Sequence, residues 1–119
     1  LVNHAGWNQI LFNPKLALAS FNIVLSQLKM FFRAWRLKSR MESCLKDCLW
    51  QIDHYQSGKW NNLPSEWRNY KLKFYAQSSL EQIKGLKYCQ TELGWDSAIL
   101  NKMNSDTLEN LNSLAKIST

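Results

Sequence analysis

Apolar residues recur every three or four positions through most of this chain, which is the spacing of one face of an α-helix. The first long series follows Asn13-Pro14, a pair suited to the N-cap and the first turn of a helix. Its members are Ala17, Phe21, Val24, Leu28, Phe31 and Trp35. The pattern predicts a helix that begins near Asn13 and turns this stripe toward a protein core.

The apolar series weakens over residues 37–43 and then resumes. The resumed series is Met41, Cys44, Leu45, Cys48, Ile52 and Tyr55. Residues 13–57 are therefore expected to form either one long helix, with or without a kink, or a pair of helices. The usual length of globular helices favours the pair or the kink. Ser57-Gly58 ends the segment, and residues 58–63 are predicted to form a loop.

Residues 64–93 carry the next helical pattern. Its expected inner face consists of Trp67, Tyr70, Phe74, Ile83 and Leu86, with Cys89 and Leu93 as further candidates. Gly94 is a suitable C-terminal stop.

Two short helices are expected within residues 96–118. Asp96 would cap the first, and Asp106-x-x-Glu109 resembles the capping box of the second. Residues 1–12 would form a short helix or an arm that docks through Trp7. No strand pattern of useful length is present. The prediction is a single all-α domain, a bundle of four to six helices.

Charge adds a candidate partner to this picture. The 119 residues carry a net charge of +6, with a pI near 9.4. Residues 1–87 hold 13 basic and 5 acidic side chains, whereas residues 88–119 hold 2 and 4. A basic body favours a polyanionic partner first and an anionic membrane second.

Four cations, which we call the basic ridge, lie on one side of the first predicted helix: Lys29, Arg33, Arg36 and Arg40. They fall within a sector of about 60° and extend along roughly 16 Å of helix, so they can meet successive phosphates of a nucleic-acid strand. No acidic residue lies between the first and the last of them. Lys38 and Lys46 would flank the ridge. A solvated helix face and a site for an acidic protein are the alternatives.

A second basic cluster alternates with aromatic residues. Arg68, Lys71 and Lys73 are interleaved with Trp67, Tyr70 and Tyr75, and Lys84 and Lys87 extend the charge along the helix. Such a mixture suits single-stranded nucleic acid, where rings stack on bases and cations follow the backbone. The alternative is that the rings at core spacing are buried. Trp60, in the preceding polar loop, would either clamp the neighbouring helix or serve in recognition.

Signatures of catalysis and of metal binding are missing from the sequence. Three cysteines without a CxxC pair indicate a reducing, cytoplasmic setting and small buried side chains rather than zinc ligands. His4 and His54 belong to no recognisable catalytic pattern, and no glycine-rich phosphate loop exists. We expect neither an enzyme nor a cofactor. The apolar run of residues 16–32 contains Asn22, Gln27 and Lys29, so we expect no membrane span.

In outline the chain resembles the small helical subunits of type I CRISPR effector complexes, which serve antiviral defence. The resemblance consists of the size, the helical pattern, the basic ridge and a first residue, Leu1, that is not Met. That family has no tight motif to match. The resemblance implies that copies pack side by side along a guide RNA–target duplex. Their basic faces would hold the duplex or the displaced DNA strand without reading its sequence.

Two functions of different classes follow. The first is a sequence-nonspecific subunit of a ribonucleoprotein assembly, whose partners are RNA or single-stranded DNA and other subunits, including copies of itself. The second is a helical scaffold or adaptor without nucleic-acid contact, anchored by Trp7, Trp60 and Trp95. A membrane-surface helix over residues 14–40 is the third alternative.

Overall fold

The computed structural model describes residues 13–59 and 61–118, and over these residues the protein is all-α. Its helices are α1 (Pro14–Gln56), α2 (Ser65–Leu93), α3 (Ala98–Asn101) and α4 (Ser105–Ala115). The predicted fold class is therefore confirmed. The proposals made for His4, Trp7 and the rest of residues 1–12, and for Trp60, lie outside the described residues.

Helix α1 begins where the sequence predicts. Asn13 Oδ1 accepts hydrogen bonds from the backbone N–H groups of Lys15 (3.1 Å) and Leu16 (3.3 Å). Pro14 occupies the first helical position, where its missing N–H leaves no donor unpaired. The helix continues without a break for 43 residues to Gln56, as the single-helix alternative requires.

The chain divides into two compact units, Leu1–Arg36 and Leu37–Thr119, which are described separately. In the first unit the apolar stripe of α1 does not form a core. Phe21 is 62%, Val24 52% and Leu28 48% exposed. The expectation that this stripe faces a core is therefore wrong. Helical spacing shows which residues share a side, but it does not show whether another element covers that side.

The second unit contains the hydrophobic core. Seven side chains from three helices form it: Leu45, Ile52, Leu72, Ala76, Ile83, Leu86 and Leu111. They come from residues 37–56 of α1, from α2 and from α4. The predicted apolar series from Met41 to Tyr55 is confirmed, since its members are buried or half-buried.

The inner face of α2 differs from the predicted one in its first half. Trp67, Tyr70, Phe74 and Leu93 are exposed, whereas Leu72, Ala76 and Ser79 are buried together with the expected Ile83, Leu86 and Cys89. Ala76 and Ser79 are small and fully buried, so they allow neighbouring helices to approach closely. Bulky rings on that face would hold the helices apart. The aromatic side chains Trp67, Tyr70 and Phe74 consequently lie on the outer side of α2.

The ends of the helices follow local chemistry. Gly94 terminates α2 in the left-handed region, with φ of 68°, as predicted. Neither predicted acidic cap is used. Ser97, not Asp96, precedes α3, and Asn104 caps α4 by accepting a hydrogen bond from the Thr107 backbone N–H at 2.9 Å. Helix α4 thus starts one residue before Asp106.

Candidate nucleic-acid interface

Three cations of the basic ridge lie in the first unit. Lys29, Arg33 and Arg36 are all exposed, and no described carboxylate lies within ion-pair distance of any of them. Together with Phe32 and Trp35 they line one open groove on the surface of α1. Because no acid neutralises them, these three side chains present a positive surface that can accept phosphate groups.

Arg40, the fourth member of the ridge, lies in the second unit and is also exposed. It lines an open groove of about 670 Å³ together with Phe74 and Tyr75 of α2, and the acidic residue Asp47 lines the same groove. The structure therefore brings a guanidinium of α1 and two rings of α2 to one groove. Sequence reasoning did not pair these residues, because they lie more than thirty positions apart and no local pattern connects them.

Lys38, predicted to flank the ridge, is not part of the exposed surface. It is buried, and its Nζ lies 3.0 Å from Glu42 Oε1. Glu42 Oε2 in turn accepts a hydrogen bond from the buried Ser97 hydroxyl at 3.0 Å. The prediction for Lys38 is therefore wrong. Its charge is paired inside the second unit with Glu42, and Glu42 joins α1 to the segment before α3 through Ser97.

The aromatic residues at the start of α2 form an exposed surface, contrary to the burial that their spacing predicts. Trp67 is 46%, Tyr70 52% and Phe74 53% exposed. The Trp67 and Tyr70 rings stack with centroids 6.1 Å apart. Lys71 Nζ lies 4.8 Å from the centroid of the Trp67 ring, within cation–π range. Rings and a cation are thus adjacent on the surface that faces away from the core.

The other predicted cations differ in their exposure to solvent. Lys46, Lys84 and Lys87 are exposed, and Lys73 is half-buried. Arg68 turns toward the preceding loop, where its Nη2 donates to the Leu63 carbonyl oxygen at 3.4 Å. Its Nε is buried and has no hydrogen-bond partner among the described residues. Arg68 is therefore less available to a phosphate than the exposed lysines.

Two cysteines line the groove that contains Arg40. Cys44 Sγ lies 3.9 Å and Cys48 Sγ 3.6 Å from the Ser78 hydroxyl oxygen. Burial raises the pKa of the Cys48 thiol above its usual value of 9.0, despite the opposing hydrogen bond with Ser78. All three cysteines are free thiols, and these two act as small packing residues between α1 and α2.

Within the part of the chain that the structure describes, no three metal-ligating side chains come together. His54 is held by its own helix, since its Nδ1 lies 2.9 Å from the Trp50 carbonyl oxygen and its ring contacts the Trp50 ring. None of the described helices is sufficiently long and apolar to cross a membrane, which agrees with the interpretation of residues 16–32.

The exposed rings of α2 could have been found from the sequence by a different choice of face. The series Leu72, Ala76, Ser79, Ile83 and Leu86 has the same helical spacing as the predicted aromatic series. Spacing alone allows either series to face the core, and only the series with the smaller side chains fits closely packed helices.

Comparison with protein-family models, with curated proteins and with solved structures gave no match.

Proposed function

We propose that this protein binds the backbone of single-stranded nucleic acid without reading its sequence, as a small subunit of a ribonucleoprotein assembly. The observation that carries the proposal is the set of three exposed cations Lys29, Arg33 and Arg36, with no described acid in ion-pair range. An ordinary solvated helix face mixes charges of both signs at neighbouring turns. An unneutralised row instead releases condensed counterions when it meets phosphates, which is the main source of nonspecific affinity.

The second unit supports a preference for unpaired strands. Arg40 shares a groove with Phe74 and Tyr75, and Trp67 and Tyr70 are exposed beside Lys71. Exposed rings stack on bases of any identity, but only where the bases are not already stacked in a duplex. The type I CRISPR small subunits, which the chain resembles in outline, are one specific form of this proposal.

The test of the ridge uses fluorescence anisotropy with a labelled single-stranded DNA, an RNA of the same sequence and the matching duplex. The variant replaces Arg33, Arg36 and Arg40 by Glu, which lowers the net charge from +6 to 0. Loss of three phosphate contacts should reduce the magnitude of the log–log salt slope by about 2 for a single strand. Binding at physiological salt should be abolished, and the helical circular dichroism signal should not change.

A matched control carries the same change in charge at sites outside the predicted interface. Lys59, Lys102 and Lys116 are exposed, and their replacement by Glu also brings the net charge to 0. We expect this control to weaken binding less and to leave most of the salt slope intact. Equal losses in the two triple variants would show that bulk charge, and not the ridge, attracts nucleic acid. Normal binding by the ridge variant would refute the proposal.

The preference for single strands has its own test. Trp67→Ala should weaken binding to single-stranded DNA about 5- to 100-fold, corresponding to the loss of one stacked base, and should affect the duplex far less. Trp50 is a suitable control because it is 55% exposed, packs against His54 and is not among the rings proposed to stack on bases. If Trp50→Ala and Trp67→Ala have equal effects, stacking on α2 is not the source of the preference.

A helical scaffold or adaptor is the second candidate function. It is favoured by the large apolar side chains that residues 14–36 expose. This function predicts association with a protein that is insensitive to salt, together with no retention on nucleic acid. The same salt series therefore separates the two candidates, because phosphate contacts weaken as salt rises whereas apolar contacts do not.

A further inference from the structure

The apolar stripe of the first unit has the spacing of a helix that packs lengthwise against another helix. Its members are separated by alternating steps of four and three residues: Ala17, Phe21, Val24, Leu28, Phe31 and Trp35. The mean step of 3.5 residues is that of a coiled-coil seam, in which side chains of one helix insert between those of its partner. We call this set the 14–36 seam.

The exposure of the seam is extensive. Besides Phe21, Val24 and Leu28, three apolar residues at its edge are exposed, namely Leu18 (62%), Leu25 (38%) and Phe32 (56%). From these six exposures and typical side-chain areas, the accessible apolar area is roughly 600 Å². A continuous apolar patch of this size on a soluble domain marks an interaction surface. Two such surfaces facing each other would bury about 1,200 Å², the lower limit of a stable interface.

The distribution of charge favours a second copy of this chain as the occupant. Positions that flank a coiled-coil seam face the partner, and like charges there oppose self-association. Along the 14–36 seam these flanking positions hold Leu18, Leu25 and Phe32 on one side and Ser20, Gln27 and Ala34 on the other. None is charged. The cations Lys29, Arg33 and Arg36 occupy neither the seam nor these flanking positions, although they line a groove together with Phe32 and Trp35. Two copies can therefore meet without like charges in the seam itself.

The same series already packs against helices inside this protein. Continued by steps of three and four, it reaches Lys38, Glu42, Leu45, Leu49 and Ile52 in the second unit. Every one of these residues is buried or half-buried there, and Leu45 and Ile52 belong to the core. The repeat is thus one that this protein uses for helix–helix packing.

We propose that the 14–36 seam pairs with the same seam of a second copy of the chain. The pairing covers the 14–36 seam and leaves Lys29, Arg33 and Arg36 outside it. Self-association of this kind does not require nucleic acid. Refuting this pairing would therefore not refute the proposed function, and refuting the proposed function would not refute the pairing.

The test is sedimentation equilibrium of the full-length chain at about 0.15 M and about 1 M salt, where a charge-driven contact weakens and an apolar one persists. The seam variant is Leu28→Lys. The matched control is Met30→Lys, which places the same charge on a residue that is 67% exposed but lies on a different side of the helix. We expect the wild-type protein and Met30→Lys to associate at both salt concentrations. Leu28→Lys should weaken association at least about 100-fold, as the burial of an unpaired charge requires.

Val24→Lys, a second seam substitution, must reproduce the effect of Leu28→Lys, and circular dichroism verifies that both variants keep the wild-type helix content. If one of these variants loses helix, the association of the other variant in sedimentation equilibrium tests the proposal. A wild-type protein that stays monomeric at about 100 µM refutes the proposal. Equal dissociation by Met30→Lys refutes the assignment to the seam. Monomeric binding of the wild-type protein to anionic vesicles assigns the apolar side to a membrane surface instead.

Discussion

The partly buried ion pair between Lys38 and Glu42 allows a direct test of the second unit. Lys38 Nζ lies 3.0 Å from Glu42 Oε1, with the lysine side chain 8% and the glutamate side chain 27% exposed. The Ser97 hydroxyl donates to the other carboxylate oxygen at 3.0 Å. Glu42→Gln preserves the shape and an acceptor for Ser97, but it removes the charge that neutralises Lys38. The buried Lys38 then lacks the ion pair with Glu42.

The size of the effect follows from this geometry. At an effective dielectric constant of about 20, charges 3.0 Å apart attract by roughly 5 kcal/mol. Desolvation offsets much of that attraction, but loss of one partner of a buried pair still costs about 3–5 kcal/mol. The partial exposure of Glu42 places the expected loss near the lower limit, at about 3 kcal/mol. Lys38→Met removes the buried charge itself and leaves the carboxylate hydrogen-bonded to Ser97, so it should cost about 1 kcal/mol.

Urea unfolding followed by circular dichroism measures these free energies for the two single variants and the double variant. For a unit of this size, a loss of about 3 kcal/mol lowers the Tm by roughly 10–20 °C. The double variant should be more stable than Glu42→Gln alone, because it also lacks the buried charge of Lys38. If Lys38→Met destabilises the protein as much as Glu42→Gln, or if Glu42→Gln costs less than about 0.5 kcal/mol, the pair does not carry the stability assigned to it.

Three further perturbations test other parts of the second unit. Gly85→Ala should not stabilise the wild-type protein, because a Cβ at residue 85 would collide with Met41 Sδ. In a Met41→Ala background the same substitution should stabilise the protein by about 1 kcal/mol through helix propensity. Additive free energies in this double-mutant cycle would contradict the contact. Burial raises the pKa of Cys48 above 9.0, so the unfolded thiol ionises first; the stabilisation is complete below the unfolded pKa and is lost as the pH rises toward the folded one. As the pH rises past the unfolded pKa toward the folded one, Cys48→Ala should therefore lose less stability than the wild-type protein, and parallel pH profiles would exclude this effect of burial. Asn104→Ala should destabilise the protein by about 1 kcal/mol, since Asn104 Oδ1 accepts from both the backbone N–H and the hydroxyl of Thr107; Thr107→Ala, which retains the backbone bond, should cost less, and the reverse order in a urea titration would contradict the cap.

Helix boundaries were predictable where they depend on neighbours in the chain. Asn13-Pro14 begins α1 and Gly94 ends α2, as expected, because a side-chain cap and a left-handed glycine act within one turn of the backbone. The caps of the two short C-terminal helices were not predicted. Asp96 and Ser97 are adjacent candidates, as are Asn104 and Asp106 within one turn, and local chemistry alone does not choose between neighbours of similar capping strength.

In the predicted interface, too, some features follow from the local sequence and others only from the fold. Exposure of Lys29, Arg33 and Arg36 agrees with the absence of acids at neighbouring turns, a property of the sequence. Lys38 lies in the same stretch but is buried. Its burial depends on Glu42 and Ser97. These two residues lie 55 positions apart and approach each other only in the folded unit. No sequence spacing along α1 distinguishes Lys38 from the cations around it.

By itself, the sequence determined that the protein is helical, where α1 begins, where α2 ends and which cations share one side of α1. These properties depend on backbone hydrogen bonding and side-chain spacing within a few turns. Only the tertiary structure decided which apolar series is covered. In α2 the small residues Ala76 and Ser79 displaced the aromatic series from the core, and in residues 14–36 the seam stayed exposed. Burial requires a second surface of matching shape, and that surface comes from elsewhere in the chain or from another molecule.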